Sequence, residues 1–393
     1  MKKFLALVLA LAMALSLIAC GSSNSSATGG TGGGSSTTNT TTTTGGDATT
    51  ADSGTQVGIV LPTKDEPRWL QDEASFEGAL SSAGFTSKVL FSQGSSATEL
   101  TNVETLIEDG VKVLVICAQD AAAAAAAVQK AKNAGVTVVC YDRLITDTDA
   151  VDYYVTFNSF AVGVAQGQFL IDAYKGKTGV PLYLYAGAVT DNNAFIFFAG
   201  AWSVLSAAVA SGQFVVENCP AIADYVGKTL DVDNDHEALA TILGTITTDW
   251  DFNKAKSLAE SNLVANGADA KGDVAILAPN DGTGRAIADA FSADDAVTSY
   301  VVTGQDAENA SLKYIQDGKQ SMTVWKNTAT LAETTCEVVR AILGGSTPAT
   351  TTTYNNHNID VPSVEEAVTV ITADTLPDLI SAGYFTQAAI DAG

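Results

Sequence analysis

From residue 57 onward, apolar runs of strand length alternate with stretches of helical periodicity. Residues 57–61 are apolar, 63–69 are polar, and 70–83 carry a helical pattern closed by Gly84. The unit recurs with strands at 88–91, 111–117 and 138–141, and with helices at 97–108 and along the alanine run 121–127 into 131. After a strand at 151–157 the pattern restarts. Helices are predicted at 161–174, 194–210, 251–266, 283–291, 310–317 and 331–343, with strands at 181–185, 215–216, 274–278, 300–303 and 322–325. Strands spaced by helices of this length predict βαβ units and parallel sheets. One doubly wound sheet would need too many strands, so the fold class expected is α/β with two successive doubly wound sheets.

The polar residues gather at the ends of the apolar runs. Residues 138–141 end in Asp142-Arg143, and ligands of open α/β sheets bind outside the carboxyl ends of strands. Other loops in the same position hold Lys64, Arg68 and Trp69; Gln119 and Asp120; Asp191, Asn192 and Asn193; Asn280 and Asp281; Gln305 and Asp306; and Lys326. Carboxylates, amides and cations can pair every hydroxyl of a polyhydroxylated ring, and each buried polar group left unpaired would cost about 1–3 kcal/mol. Flat apolar walls suit the ring's C–H faces, and Trp69 and Trp250 are the candidates. Plainer readings stand beside these: a structural ion pair at Asp142-Arg143, and ordinary core packing for the two tryptophans.

The amino end follows different rules. Lys2 and Lys3 precede an apolar run, 4–19, that is short for a bilayer span and built like a signal-peptide core. It ends in Leu17-Ile18-Ala19-Cys20-Gly21, which resembles a lipoprotein processing site with Cys20 as the lipidated residue. Residues 1–20 are thus read as a lipoprotein signal peptide, beside the alternative of a plain secretory leader. Residues 21–55, almost wholly Gly, Ser and Thr, are read as a disordered tether with a span of about 30 Å, or a glycosylated stalk with the same role.

Composition narrows the partners. Against 20 Lys+Arg stand 44 Asp+Glu, a formal net charge of −24 in 393 residues, which argues against nucleic acid and against a polybasic membrane patch. With Cys20 set aside, Cys117, Cys140, Cys219 and Cys336 remain; there is no C-x-x-C and there are only two histidines, so neither a metal nor a cofactor is expected. A disulfide among the four stays open. The acidic run 231–237 lacks the glycine of a calcium loop and reads as a solvated turn.

Residues 57 to about 340 resemble the type I periplasmic binding proteins that serve as sugar receptors of ABC importers, in the D-xylose-binding and multiple-sugar-binding branch. The resemblance lies in Pro67-Arg68-Trp69, the run 111–116, Tyr141-Asp142-Arg143-Leu144, Asp191-Asn192-Asn193-Ala194, Pro279-Asn280-Asp281-Gly282, Gly304-Gln305-Asp306-Ala307 and Val324-Trp325-Lys326. About twenty residues between Gly227 and Trp250 look like an insertion. The resemblance implies two doubly wound parallel-sheet lobes joined by a three-strand hinge, with crossings near 157–160, 325–328 and 350–364. The amino-terminal lobe would be 57–157 plus 328–350, and the carboxyl-terminal lobe 158–327 plus 351–393.

Carried over by position, the ligand-contacting residues would be Arg68, Trp69, Asp142, Arg143, Asn193, Asp281, Asp306 and Lys326, with Lys64 and Asn280 beside them; Trp250 joins as a stacking wall where Trp250-Asp251, past the insertion, matches the family's Trp-Asp before its helix. The implied protein is a monomeric, non-enzymatic lipoprotein on the outer face of the cell membrane. It captures a monosaccharide of xylose, glucose, galactose or arabinose type and hands it to an ABC permease. A sugar-sensing receptor and a sugar-active enzyme using Asp142 and Asp281 are the alternatives; the chain shows no phosphate loop or nucleophile elbow, and no basic DNA-binding head.

Overall fold

The computed structural model describes residues 55–393. The leader (1–20) and, but for Thr55, the tether (21–55) lie outside the described residues.

The first half is a run of βα units: β1 (Val57–Leu61), α1 (Pro67–Ser82), β2 (Ser87–Phe91), α2 (Ser96–Glu108), β3 (Val113–Ile116), α3 (Ala125–Asn133), β4 (Thr137–Tyr141) and β5 (Tyr153–Phe157). Pro67 starts α1 where a missing N–H costs nothing, so the helix begins three residues before the apolar pattern does and takes Arg68 and Trp69 into its first turn. The alanine run starts later than its propensity predicts: Asp120 Oδ1 accepts from the amides of Ala122 and Ala123, holding turns until α3 begins at Ala125.

The chain then crosses at Asn158 into α4 (Ser159–Ala173), β6 (Val180–Leu184), α5 (Asn192–Ala210), β7 (Phe214–Val216), α6 (His236–Ile246), α7 (Phe252–Ala265), β8 (Gly272–Leu277), α8 (Asp281–Ser292), β9 (Val297–Val302), α9 (Asn309–Gln316) and β10 (Thr323–Trp325). It returns at Lys326-Asn327 to α10 (Thr328–Leu343), which packs on α1, then β11 (Thr352–Asn355) and β12 (Asp360–Glu366). A last passage leads to β13 (Thr369–Ile371), α11 (Leu376–Ser381) and α12 (Gln387–Ala392).

The first sheet has the order β11-β12-β5-β4-β3-β1-β2, parallel except for β11, and the second β7-β6-β8-β9. In both, the first strand lies inside its successor, which creates a switch point at the carboxyl ends of the strands. Side chains alternate across the first sheet. Val60, Leu114, Ile116, Val138 and Cys140 pack on one face, and Ile59, Leu61, Val113, Val115, Val139 and Tyr141 on the other. The second lobe repeats this with separate clusters on its two faces.

One boundary differs from the expectation. The resemblance places residues 351–393 in the second lobe, but Val364 registers with Val155 and Tyr354 with Val361, so 352–366 complete the first sheet. The third passage therefore lies at 366–369, not 350–364. The cause is an edge hairpin with one wet face: Val361 and Ser363 are buried, while the threonines around them are exposed and read as loop.

The segment between Gly227 and Trp250 holds a helix that the sequence pattern did not predict. On α6, Leu239, Ile242, Leu243 and Ile246 join the second-lobe core, and His236 stacks on Phe195 with ring centroids 4.6 Å apart. The acidic turn before it is exposed, and Asp231 Oδ1 accepts from the Asp233 and Asn234 amides.

Two helices lie closer than side chains normally permit. A Cβ on Gly163 of α4 would stand 1.9 Å from the Phe197 carbonyl oxygen, and one on Gly200 of α5 2.2 Å from that of Phe160. Glycine is thus required at both positions, and the contact fixes the second and third turns of α5 against the hinge end of α4. The length and apolarity of α5 would suit a membrane span, but it is a core helix, buried against α4 and α6.

Candidate functional site

Where the strand ends of the two lobes meet, Arg68 is the centre. It is 3% exposed, and its guanidinium donates to three carboxylates: Nε to Asp72 at 2.7 Å, Nη2 to Asp142 at 2.7 Å and Nη1 to Asp306 at 3.1 Å. Asp72 and Asp142 belong to the first lobe and Asp306 to the second, so this one side chain spans the cleft. Lys326, at the hinge, lies 2.8 Å from Asp306 and 3.9 Å from Asp142. Arg143 completes the charge network through Asp191 at 2.9 Å, again across the lobes.

The charges are set by these neighbours. Burial opposes ionisation of Asp142, but Arg68, Lys326 and Arg143 outweigh it and hold the carboxyl well below the usual carboxylate range. Asp191 goes the other way: burial lifts it despite Arg143. Glu66 is also raised by burial, against the pull of Arg143. Trp69 lies beneath two guanidiniums, 4.8 Å from Arg68 and 5.1 Å from Arg143, and is 2% exposed. It is a platform for cations as well as an edge of the cavity.

The backbone at the site is strained where the functional groups sit. Asp142 (φ 59°), Trp250 (φ 60°) and Asp306 (φ 98°) occupy the left-handed region, each at a cost of order 1–3 kcal/mol. Asp142 is held there through its carbonyl, which accepts from Tyr154 Oη (2.7 Å), Thr156 Oγ1 (3.0 Å) and Asn193 Nδ2 (2.7 Å). Asn193 comes from the second lobe, so the bond is a third link across the cleft; the Ala121 amide adds a fourth, to Thr190 O at 2.9 Å.

With these links made, the free space of the inner cavity is about 20 Å³, room for a single water. Trp250 Nε1 and Gln305 Oε1 are buried in its wall with no partner among the described residues. Unpaired buried donors and acceptors beside exchangeable ion pairs are what a polar ligand would satisfy. Outside this cavity the cleft widens to about 910 Å³, sharing Glu66, Arg143, Trp250 and Asn280 with it.

Known proteins agree with this architecture. Residues 57–347 match the family model described as the periplasmic binding protein domain. The chain belongs to the periplasmic binding protein domain family. The Azospirillum brasilense multiple sugar-binding periplasmic protein SbpA is 34% identical over 349 residues, covering 86% of this chain and 92% of that protein. The D-xylose-binding periplasmic protein of Escherichia coli K12 is 32% identical over 308 residues, 78% of this chain and 84% of its own. The crystal structure of a carbohydrate transporter solute-binding protein from Chloroflexus aurantiacus, in complex with D-glucose, is 56% identical with a TM-score of 0.82, covering 85% of this chain and 97% of that one. The family comprises solute-binding proteins and is not an enzyme family, and its two-lobe type I fold is the fold seen here.

Within this periplasmic binding protein, Arg68, Trp69, Asp142, Arg143, Asn193, Trp250, Asn280, Asp306 and Lys326 line the one cavity. Two predicted residues do not. Asp281, fully buried, sits behind the wall, accepting from Gln320 Nε2 (2.8 Å) and the Glu308 amide (2.9 Å), and burial with Glu308 nearby lifts its carboxyl well above the usual range. Lys64 points to solvent, with its ammonium 3.6 Å from Glu73 and over the Phe91 ring.

Four lining residues were not singled out: Glu66, Asp191, Phe197 and Gln305. Asp191 and Gln305 stood in loops already recognised as polar strand ends. Phe197 was hidden in the uniformly apolar α5, and Glu66 carried no distinguishing pattern. Cys117, Cys140, Cys219 and Cys336 are free and buried, so no disulfide joins any of the four.

Proposed function

We propose that this protein captures a monosaccharide between its two lobes and delivers it to an ABC permease. The observation that carries this is Arg68 held between Asp142 of one lobe and Asp306 of the other, with Lys326 at the hinge. A neutral polyol can replace such pairs group for group, because each hydroxyl both donates and accepts. Bound in D-glucose's place in the Chloroflexus relative, or as the relatives named for xylose and multiple sugars imply, the ligand is a pentose or hexose of xylose, glucose, galactose or arabinose type.

The lobes pivot about Asn158, Lys326-Asn327 and the passage at 366–369. Contacts made by both lobes exist only when closed, so the sugar stabilises closure, and the permease reads the closed shape. Nothing in this cycle breaks a bond in the sugar. Cys20 carries the lipid anchor, 21–55 form the tether, and the monomer works on the outer face of the membrane, in keeping with the periplasmic relatives.

A thermal-shift panel of aldoses tests the reading. At a thousandfold excess over Kd, a ligand adds about 4 kcal/mol of stability. Asp142→Ala removes that sugar-dependent shift while the circular dichroism spectrum stays native. An unchanged shift in the variant refutes the site, and no shift in the wild type with any aldose refutes the function.

A further inference from the structure

We propose that the outer cleft is a second saccharide subsite, so that the protein takes neutral disaccharides with one ring in the inner cavity and the other outside it. The inference rests on the sugar reading above and extends it outward. The cleft measures about 910 Å³, near the upper end of the roughly 300–1,000 Å³ typical of small-molecule sites, and far more than one pyranose fills. It persists although the lobes are already joined through Arg68–Asp306, Arg143–Asp191 and the Ala121–Thr190 backbone bond. It opens directly from the inner cavity through shared walls at Glu66, Arg143, Trp250 and Asn280.

Its lining has the character of a carbohydrate surface. Phe252 is 44% exposed and Val189 39%, and neither belongs to any of the apolar clusters of the core. An aromatic at the first position of α7, lining a cleft without packing into the lobe, offers an open face to sugar C–H groups. Pro67 adds an apolar patch on the other lobe. Around these stand the side-chain amides of Gln119 and Asn253, which make no hydrogen bond to the described residues. In the inner cavity, by contrast, every charged cleft residue but Glu66 is engaged by an ion pair.

The loop that carries the platform is deliberately held. Asp249 and Trp250 are consecutive left-handed non-glycine residues (φ 54° and 60°), fixed by Thr247 Oγ1 donating to Asp249 and by Lys254 on the same carboxylate. Strain kept by such supports marks a functional loop. The two cations of the lining, Arg143 and Arg285, are paired with Asp191 and Glu308, and Asp249 with Lys254, whereas Asp65, Glu66 and Asp251 have no ion-pair partner among the described residues; the uncompensated charge is negative, which disfavours uronates and phosphosugars and leaves neutral saccharides.

The test is isothermal titration of wild type, Phe252→Ala and Phe252→Tyr with a panel of aldoses, then with neutral disaccharides built from the aldoses that bind. At least one disaccharide should bind the wild type one-to-one and compete with the monosaccharide. Its affinity should fall about tenfold or more in Phe252→Ala and recover in Phe252→Tyr, with the monosaccharide unchanged within about twofold. Monosaccharide binding without any disaccharide binding overturns the subsite alone. So does an equal loss of both ligands in Phe252→Ala, which would make the cleft part of one site. If no saccharide of either kind binds, the sugar function falls and the subsite with it.

Discussion

The two walls of the cleft reach the same cavity by different physics. The first lobe supplies full charges whose geometry depends on one another: Arg68 with Asp72 and Asp142, each nearly or fully buried, and Tyr141 donating to Asp72 from below. Besides Asp306, which joins that network, the second lobe supplies groups at helix starts, set by local backbone. Asp191 caps α5 by accepting from the Asn193 amide, and Asn280 caps α8 by accepting from Thr283 N. A network of buried charges fails as a unit when one member is lost, because the partners remain uncompensated. A cap fails locally. The first wall should therefore couple ligand binding to stability, and the second should couple it mainly to closure.

The largest effect separates the walls directly. Arg68→Met leaves Asp72, Asp142 and Asp306 without their shared cation and should cost about 3–5 kcal/mol in urea unfolding, along with sugar binding. A loss below about 1 kcal/mol would mean the pairs behave like exposed ones and would erase the contrast.

Next comes Glu99 on α2, which supports the first wall by accepting from the Gln119 amide at 2.7 Å. Burial pushes its carboxyl up to about 7, against that amide's pull. Below about pH 4.5 the group is protonated in both the folded and unfolded chain. Above it the unfolded chain ionises first and binds fewer protons, so stability falls as pH rises towards 7, by about 3 kcal/mol in full. Glu99→Gln should flatten that decline, and the difference between variant and wild type from pH 4.5 to 8 isolates the group. Parallel stability curves would show that Glu99 ionises freely in the fold.

The smallest effect belongs to the second wall. Asn193→Ala removes the amide that reaches Asp142 O, a carbonyl that keeps Tyr154 and Thr156 as donors. Folding should lose about 0.5–1.5 kcal/mol, and sugar affinity up to about tenfold through faster release. A stability loss as large as that of Arg68→Met would show that the second wall is not local after all.

Much of this was legible in order along the chain. The strand–helix alternation, and the habit of polar residues standing just past apolar runs, pointed to a parallel α/β fold and to nine residues that do line one cavity. What escaped has physical causes. The hairpin 352–366 reads as loop because one face is wet. The helix α6 has its apolar residues at helical spacing, but they follow an acidic run that draws the eye to a solvated turn. Lys64 and Asp281 fail for opposite reasons: the one extends over Phe91 to solvent, and the other turns inward to Gln320 and the Glu308 amide.

By itself, then, the sequence determined the local matters: periodicity, helix starts, and which chemical groups stand at strand ends, because these depend on neighbours a few positions away. Tertiary structure alone decided which groups meet. Arg68 and Asp306 are 238 positions apart, and only the closing of one lobe on the other places them 3.1 Å from each other. The same closure set the size of the inner cavity, left the wider cleft outside it, and turned Asn193 from a helix-start amide into a clasp on the opposite lobe.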